Sequence, residues 1–318
     1  MKPMIPPVKR DLLISELTKD KLLRKSNFGD TEIYVFSHKD SPNLLKEMGR
    51  LRELAFRTAG GGTGEEIDID KYDTADDPYL QLIVWDPEEQ EIIGGYRFIV
   101  VEPILDDYKN KLATANLFNF SEDFLNNYLP YTIELGRSFV QPAYQHGNNK
   151  RKGMYALDNL WDGLGALTIE YPKTKYYFGK VTMYKQFDID ARNYLLSFLK
   201  IYFEDENNLI EAKKPIIIDF KDYTNKFSGK NYKKDFKKLS KIIKEKGERI
   251  PPLVNAYMNL SPSMICFDTV QNDFFGGVEE TAIIINIDDI YKSKMERHIK
   301  SYKSIINLNK LFQGRTRK

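Results

Sequence analysis

Two charged residues interrupt an apolar run at residues 133–142, IELGRSFVQP. Isoleucine, leucine, phenylalanine and valine are typical of a buried strand, yet Glu134 and Arg137 stand three positions apart within it. A buried carboxylate can accept a proton, and a guanidinium can bind a carboxylate or a phosphate. Strict alternation would place the two side chains on opposite faces of a sheet, but a bulge at Gly136 would turn both inward. This pair is the first candidate for chemistry.

Further charged residues occur where a core would bury them. Arg52 and Phe56 lie one turn apart in a predicted helix, and Arg97 lies between two aromatic residues in a predicted strand. Because burying an unpaired charge costs several kcal/mol, such groups should pair with one another. Two interpretations stay open: an ion-pair network that fixes a loop to the sheet, or a site with carboxylates for proton transfer and arginines for binding. The acids would come from a glycine-rich stretch at 60–73 that contains Asp68, Asp70 and Asp73.

A basic loop follows at residues 145–153, QHGNNKRKG, and leads from this strand into a predicted helix. Backbone N–H groups at a helix N-terminus suit a phosphate, and basic side chains beside them strengthen the site. A solvated basic turn is the alternative. The order of strand, phosphate-type loop and helix is the one that acyltransferases use to hold a pantetheine arm. The candidate residues are Lys150, Arg151, Lys152 and Gly153.

Strand and helix patterns alternate along the chain, which predicts an α/β sheet. A strand at 31–36 precedes a helix that Ser41 caps, Pro42 opens and the glycines from Gly60 end. Residues 78–101 predict two central strands around a turn, which makes the sheet mixed. The other predicted elements are helices at about 153–170, 188–204 and 230–246 and strands at 175–183, 264–270 and 281–287.

Composition argues against several classes of protein. The 48 basic and 46 acidic residues leave a net charge of +2, which gives no field for binding nucleic acid. One cysteine and three histidines far apart in sequence offer neither a disulfide framework nor a zinc site. The N-terminus lacks the apolar core of a signal peptide, and no stretch is apolar enough to span a membrane. We expect a soluble protein of the cytoplasm.

The order of these motifs resembles the GNAT superfamily and, within it, the relatives of acyl-homoserine-lactone synthases. Two later segments, YYFGKVTM and IPPLVNAYMNL with NDFFGGVEETAIIINI, resemble one branch more specifically. That branch comprises bacterial N-acyltransferases that depend on acyl carrier protein and make ornithine and glycine lipids; its members are often called hemolysins. The match runs from about residue 45 to 290. The shared motifs are Arg52-x-x-x-Phe56, Asp70-x-Tyr72-Asp73, YLQLIV, Gly94-Gly95-Tyr96-Arg97 and Glu134-Leu-Gly-Arg137-Ser138.

The chain departs from these families in two places. The glycine run at 60–64 replaces an aromatic residue of the synthases, so their amine donor is not carried over. The pyrophosphate signature of GNAT proteins is degenerate in QHGNNKRKG, where only Gly147 and Gly153 correspond. This loop suits the single phosphate of a carrier protein's pantetheine at least as well as coenzyme A.

The resemblance implies a GNAT-like, mixed and mainly antiparallel sheet with extra C-terminal helices and strands. We expect one acyltransferase domain at 22–290 and a basic C-terminal helix or tail at 291–318. The implied reaction moves a fatty acyl group, 3-hydroxylated or not, from acyl carrier protein to the α-amine of glycine or ornithine in aminolipid synthesis. The donor would be the 4′-phosphopantetheine of the carrier, or acyl-CoA, with no permanently bound cofactor and no metal.

The resemblance also suggests roles for the charged residues. Glu134 would take the proton of the amine, one of the arginines would bind the amino acid carboxylate, and the aspartates would orient the arginines. Backbone N–H groups near Phe139 and Val140 would hold the oxyanion. The candidate catalytic residues are Glu134, Arg137, Asp70 and Asp73, and the candidate substrate-binding residues are Arg52, Phe56, Arg97, Ser138, Phe139 and Val140.

Two other functions stay open at this point. One is an acetyl-CoA-dependent N-acetyltransferase, and the other is a non-catalytic protein that contacts lipid or membrane. The acid and arginine set counts against the second, because lipid contact needs neither. The basic helix at 230–246 carries Tyr232, Phe236, Leu239 and Ile243 on one stripe. Its lysines would form a solvated face, dock an acidic carrier protein or contact anionic lipid at the inner membrane.

Overall fold

The computed structural model describes residues 1–145 and 151–303. The strands are β1 (Leu22–Lys25), β2 (Glu32–Phe36), β3 (Leu80–Asp86), β4 (Glu91–Val100), β5 (Phe118–Phe120), β6 (Thr132–Val140), β7 (Tyr176–Met183), β8 (Ile210–Ala212), β9 (Ile265–Asn272) and β10 (Val278–Asn286). The helices are α1 (Arg10–Glu16), α2 (Pro42–Thr58), α3 (Lys71–Thr74), α4 (Tyr108–Lys111), α5 (Glu122–Asn127), α6 (Ala156–Glu170), α7 (Ile189–Phe203), α8 (Lys221–Thr224), α9 (Tyr232–Glu245), α10 (Pro252–Met258) and α11 (Lys292–Lys294), followed by a π-helical turn at Met295–Ile299.

Within the described residues, eight strands form one sheet in the order β1-β2-β3-β4-β6-β7-β10-β9. Each neighbouring pair is antiparallel except β6 and β7, which run parallel. The short strands β5 and β8 pair separately. The predicted mixed and mainly antiparallel sheet is confirmed, and the two C-terminal strands belong to it.

The central strands are covered on both faces, as their continuous apolar runs predict. All seven residues of β3 are buried. Ile83 and Trp85 share a core cluster with residues of α2, whereas Leu82 and Val84 share a cluster with residues of α6. Alternation along one strand therefore fixes one helix on each side of the sheet.

The helix α2 starts and ends where the sequence predicts, but its N-terminus is capped differently. Pro42 is the first helical residue, and Gly60, with φ of +92°, follows the last turn. The hydroxyl of Ser41 does not cap the helix. Instead the carboxylate of Glu16 accepts from the backbone N–H groups of Asn43 and Leu44 at 3.1 and 2.8 Å. A residue of α1 thus satisfies the exposed donors of the helix.

Described segments on either side of residues 22–290 pack on the sheet's helices. Leu13 of α1 is buried in the cluster that includes α2. The π-helical turn lies against α6, where Nδ1 of His298 is 2.7 Å from the carboxylate of Asp162. No helix in the described part of the chain combines the length and the apolar character needed to cross a membrane.

The basic helix α9 docks by its predicted apolar stripe. Leu239 and Ile243 are completely buried, while Tyr232 and Phe236 stack on each other and contact Phe198 of α7. Most of the helix's lysines are exposed. The chain then passes through residues 246–251 into α10.

Candidate active site

The strands β6 and β7 separate in the middle of the sheet. Their register covers only three residue pairs and ends with Glu134 opposite Phe178. Both strands continue beyond this pair, to Val140 and Met183. Because their backbones no longer pair there, a cleft opens between them.

A bulge in β6 brings the two charged residues of this strand to one cavity, as the sequence suggests. Arg97 of β4 pairs with Gly136 and Gly95 pairs with Phe139, so Arg137 and Ser138 together oppose a single residue. The left-handed residue is Arg137, with φ of 51°, and not the glycine before it. Both Glu134 and Arg137 line the cavity.

Glu134 is 1% exposed and is held by four hydrogen bonds. Its Oε1 accepts from the Tyr79 hydroxyl at 2.6 Å and from the backbone N–H groups of Ala113 and Thr114 at 3.1 and 3.3 Å. Among the described residues, its Oε2 accepts a hydrogen bond from the hydroxyl of Thr114 alone. An ionised carboxylate has about four lone-pair positions, two on each oxygen. The position open to a proton is therefore the second one on Oε2.

The surroundings of Glu134 favour its protonated form. Burial raises the pKa of the Glu134 carboxyl above its ordinary value, against the opposing effect of the hydrogen bonds from Thr114 and Tyr79. Burial, and then the charge of Glu134, also raises the pKa of Tyr79 well above its ordinary value. The Tyr79 hydroxyl thus stays protonated and acts as a donor. Raised affinity for a proton is what a general base near neutral pH requires.

The predicted arginines and aspartates pair with one another beside Glu134. Arg52 bonds both oxygens of Asp73 at 3.2 Å and also donates to Gln81. Arg97 donates from Nη1 to both oxygens of Asp70 at 2.8 Å and to Asp73 at 3.2 Å. A third pair joins Nε of Arg137 to Asp68 at 2.8 Å.

The short helix α3 places the aspartates of this network. The side chain of Asp70 accepts from the Tyr72 N–H, and Asp73 accepts from the Asp70 N–H, which together make a capping box. Burial opposes the charge of Asp73, but Arg52 and Arg97 hold the pKa of its carboxyl well below the ordinary range. Asp73 therefore stays ionised and serves as the common partner of two arginines.

The network residues differ in their access to the cavity. Arg97 and Arg137 line it, whereas Arg52, Asp68 and Asp73 are completely buried away from it. Arg52 was among the predicted substrate-binding residues, and the structure places it behind the cavity wall.

The cavity between the diverging strands has a volume of about 930 Å³. This is near the upper end of the roughly 300–1,000 Å³ typical of small-molecule sites. Its walls come from α2, β6, β7, α6 and α10, and most of the wall residues are apolar. Five of the six predicted substrate-binding residues line it: Phe56, Arg97, Ser138, Phe139 and Val140.

One ion pair in the cavity was missed by the sequence analysis. Nζ of Lys180 lies 2.7 Å from Oε2 of Glu280, which also accepts from Asn272 at 2.8 Å. Burial opposes the charge of Glu280, but Lys180 keeps the pKa of its carboxyl low. A lysine inside the otherwise apolar strand YYFGKVTM is the same kind of signal that singled out Arg97, and it was available in the sequence.

The basic loop is only partly described. Lys150 and the side chain of Arg151 lie outside the described residues. Lys152 does not line the cavity, because its ammonium pairs with Asp86 at 2.6 Å and with Glu88 at 2.9 Å. Gly153 does line it, and a Cβ there would come within 2.1 Å of the Tyr144 carbonyl oxygen. Across the described ranges, no group of three or more His, Cys, Asp or Glu could hold a metal ion.

Comparison with known proteins gives two kinds of result. Residues 51–152 match a family model described as an acetyltransferase (GNAT) domain. The solved structure of the AHL synthase LasI is 17% identical with a TM-score of 0.34, over 48% of this chain and 72% of that one. The CoA-dependent acyl-homoserine lactone synthase BjaI, with SAM and isopentyl-CoA, is 16% identical with a TM-score of 0.32, over 48% and 67%.

Two bacterial relatives match nearly the whole chain. The glycine N(alpha)-acyltransferase of Phocaeicola vulgatus is 51% identical over 306 residues, which cover 95% of this chain and 94% of the relative. The protein of the same name from Bacteroides thetaiotaomicron is 49% identical over 95% and 91%. Identity at this level over this length establishes common descent and a common fold. The chain therefore belongs to the family of these glycine N(alpha)-acyltransferases, and it is an acyltransferase built on a GNAT domain.

Proposed function

We propose that this acyltransferase transfers a fatty acyl group from a carrier-bound thioester to the α-amine of glycine, as a step in aminolipid synthesis. The choice of glycine rests on the names of the two relatives that match nearly the whole chain. The observation in the structure that carries the chemistry is a buried carboxylate, Glu134, at the closed end of a cleft between two separating strands. Residues 22–290 would form the catalytic domain.

Glu134 would accept the proton that the amine must lose. Amino groups of amino acids are mostly protonated near neutral pH, so a base is needed before or during attack. The amine nitrogen then forms a bond to the thioester carbonyl carbon, and the carbon–sulfur bond breaks. Of the two protons that the ammonium group loses on becoming an amide, one passes to Oε2 of Glu134 and the other to the released thiolate.

The diverging strands would stabilise the tetrahedral intermediate. Beyond Glu134 the backbone of β6 is not paired with β7, and residues 135–140 line the cavity. Backbone N–H groups in such a cleft can donate to the oxyanion without prior reorganisation. This assignment keeps the predicted positions near Phe139 and Val140.

The size and walls of the cavity favour a long acyl group over acetyl. Each of the five wall elements contributes apolar residues to this cavity, among them Leu157 and Trp161 of α6 and Val254 of α10. An acyl chain held there removes its own surface and that of the walls from water, and each buried CH₂ contributes about 0.8 kcal/mol. An acetyl group would leave most of this surface uncovered.

Charges around the cavity favour a carrier protein as donor. Arg249 and Lys294 line the cavity, and their side chains form no ion pair or hydrogen bond with any residue the structure describes. Arg249 lies four residues after the end of the lysine-rich helix α9. A pantetheine phosphate and an acidic carrier surface would find partners on this side of the molecule.

The experiment is acyl transfer by the purified protein, with the product identified by mass spectrometry. Long-chain acyl carrier protein, the matching acyl-CoA and acetyl-CoA are offered in parallel, with glycine, ornithine and serine competing as acceptors. We expect N-acylglycine, formed fastest from the carrier-bound donor. Exclusive use of acetyl-CoA, or a preference for ornithine or serine, would contradict the proposal.

A further inference from the structure

Arg97 uses only part of its guanidinium within the protein. Nη1 donates all of the residue's hydrogen bonds to Asp70 and Asp73. Its central carbon also lies 5.5 and 5.0 Å from the ring centres of Tyr72 and Tyr79, which contact each other edge to face. The other edge of the guanidinium, formed by Nε and Nη2, makes no hydrogen bond to any residue that the structure describes.

The Nε of Arg97 is buried and has no hydrogen-bond partner among the described residues. A buried donor without a partner costs about 1–3 kcal/mol, and more for a charged group. Native proteins therefore seldom leave such a group unsatisfied, and a ligand is one way to satisfy it.

Gly136 lines the cavity and is the cross-strand neighbour of Arg97. A Cβ on Gly136 would lie 3.4 Å from Nε and 3.5 Å from Cγ of Arg97, which is ordinary contact distance. The φ of Gly136 is not in the left-handed region, so the backbone does not require glycine there. Neither strain nor crowding explains this glycine, but an acceptor placed against Nε would.

The other two arginines do not offer the same edge. Arg52 also has an unpaired Nε, but it does not line the cavity. Arg137 lines the cavity, but Asp68 occupies its Nε at 2.8 Å and Asp70 lies 3.5 Å from its Nη2. Of the three arginines, only Arg97 both lines the cavity and has an Nε–Nη2 edge without a partner among the described residues.

We propose that the Nε–Nη2 edge of Arg97 binds the carboxylate of the acceptor amino acid, and that Gly136 is retained to leave room for it. This assignment rests on the proposed function and names the part of the substrate that one residue recognises. A planar guanidinium matches a carboxylate with two parallel hydrogen bonds. Gly136 lies two residues after Glu134 on the same strand, roughly 6–7 Å along it. A carboxylate at Arg97 thereby places the neighbouring amine toward Glu134.

The test compares glycine with glycinamide, which has the same amine but no carboxylate. Binding to the protein is measured by calorimetric titration, and kcat/KM is measured with acyl carrier protein as donor. The main variant is Gly136→Ala, whose methyl group would cover Nε without touching the ion pairs. The loss of two charge-assisted hydrogen bonds predicts a 10- to 100-fold fall in affinity and kcat/KM for glycine. For glycinamide the change should stay below about threefold, since it makes neither bond.

A second variant and a control separate recognition from stability. Arg97→Lys keeps a charge beside Asp70 and Asp73 but lacks the fork, and it should show the same selective loss for glycine. Arg192→Lys makes the same exchange in an ion pair with Glu279 outside the cavity and should change neither substrate. Equal losses for glycine and glycinamide, or glycine binding unchanged in Gly136→Ala, would overturn the assignment. Selective glycine binding without acyl transfer would contradict the proposed function and leave the assignment standing.

Discussion

Glu134 and Phe178 are the last paired residues of β6 and β7, and the cavity is lined by residues that follow them on both strands. The buried carboxylate therefore lies at the closed end of the cleft. A thioester that enters between the strands would bring its carbonyl toward this end, while the carrier stays outside. The position of Glu134, the proposed base, thus follows from where the strand pairing stops.

The aspartate shared by two arginines should be critical for folding. Asp73→Asn removes the charge that Arg52 and Arg97 both face, and leaves two buried guanidinium groups with weaker partners. Breaking a buried pair in this way costs about 3–5 kcal/mol. Urea unfolding would measure the change in the free energy of unfolding. Glu102→Gln, in an exposed pair with Lys173, is the control and should have no measurable effect. A stable Asp73→Asn protein would show that the network is not structural.

Glu134 should make the free energy of unfolding depend on pH. Burial raises the folded-state pKa of Glu134 above its unfolded value near 4.5, so the folded state binds this proton more tightly. The contribution of this group to stability therefore falls as the pH rises from the unfolded pKa through the raised folded pKa. Between pH 5 and 8, the urea midpoint of Glu134→Gln should increase relative to that of the wild type as the pH rises. A difference that does not vary with pH would contradict the raised pKa.

Arg249 and Lys294, the cavity cations without an ion-pair partner among the described residues, should matter only for a carrier-bound donor. The double variant Arg249→Glu and Lys294→Glu should raise the KM for acyl carrier protein about tenfold at low salt, with the difference shrinking as salt is added. Transfer from an acyl-pantetheine without a carrier should change far less. Lys173→Glu, at an exposed position outside the cavity, is the matched charge reversal. Equal effects on both donors would remove the argument for carrier docking on this side.

Much of the fold follows from local patterns. Apolar runs predicted the central strands. A proline at the start of α2 and glycines after its end predicted the bounds of that helix. Charges inside apolar strands identified Arg97, Glu134 and Arg137, because burying them unpaired would be costly. The bulge that lets the last two share a cavity was suggested by the glycine between them.

What the sequence did not reveal depends on contacts between distant elements. Glu16 caps a helix that begins 26 residues later, and the pairing of Lys152 with Asp86 joins a loop to the end of β3. The Lys180–Glu280 pair requires the register of β7 on β10, which local propensity does not determine. The partners of Glu134 from residues 113 and 114 come from a segment without a regular pattern.

The most direct test of the account is the initial rate of N-acylglycine formation by the wild type and by Glu134→Gln between pH 6 and 9.5. Glutamine keeps the shape of the side chain but cannot accept the proton. Circular dichroism and the urea midpoint would first establish that the variant is folded. We predict a turnover 10²- to 10⁴-fold below the wild type at pH 7, the usual scale for general base catalysis. The deficit should shrink at high pH, where more of the amine is already free. Near-normal turnover of Glu134→Gln at neutral pH would contradict the account and reduce Glu134 to part of the structural network.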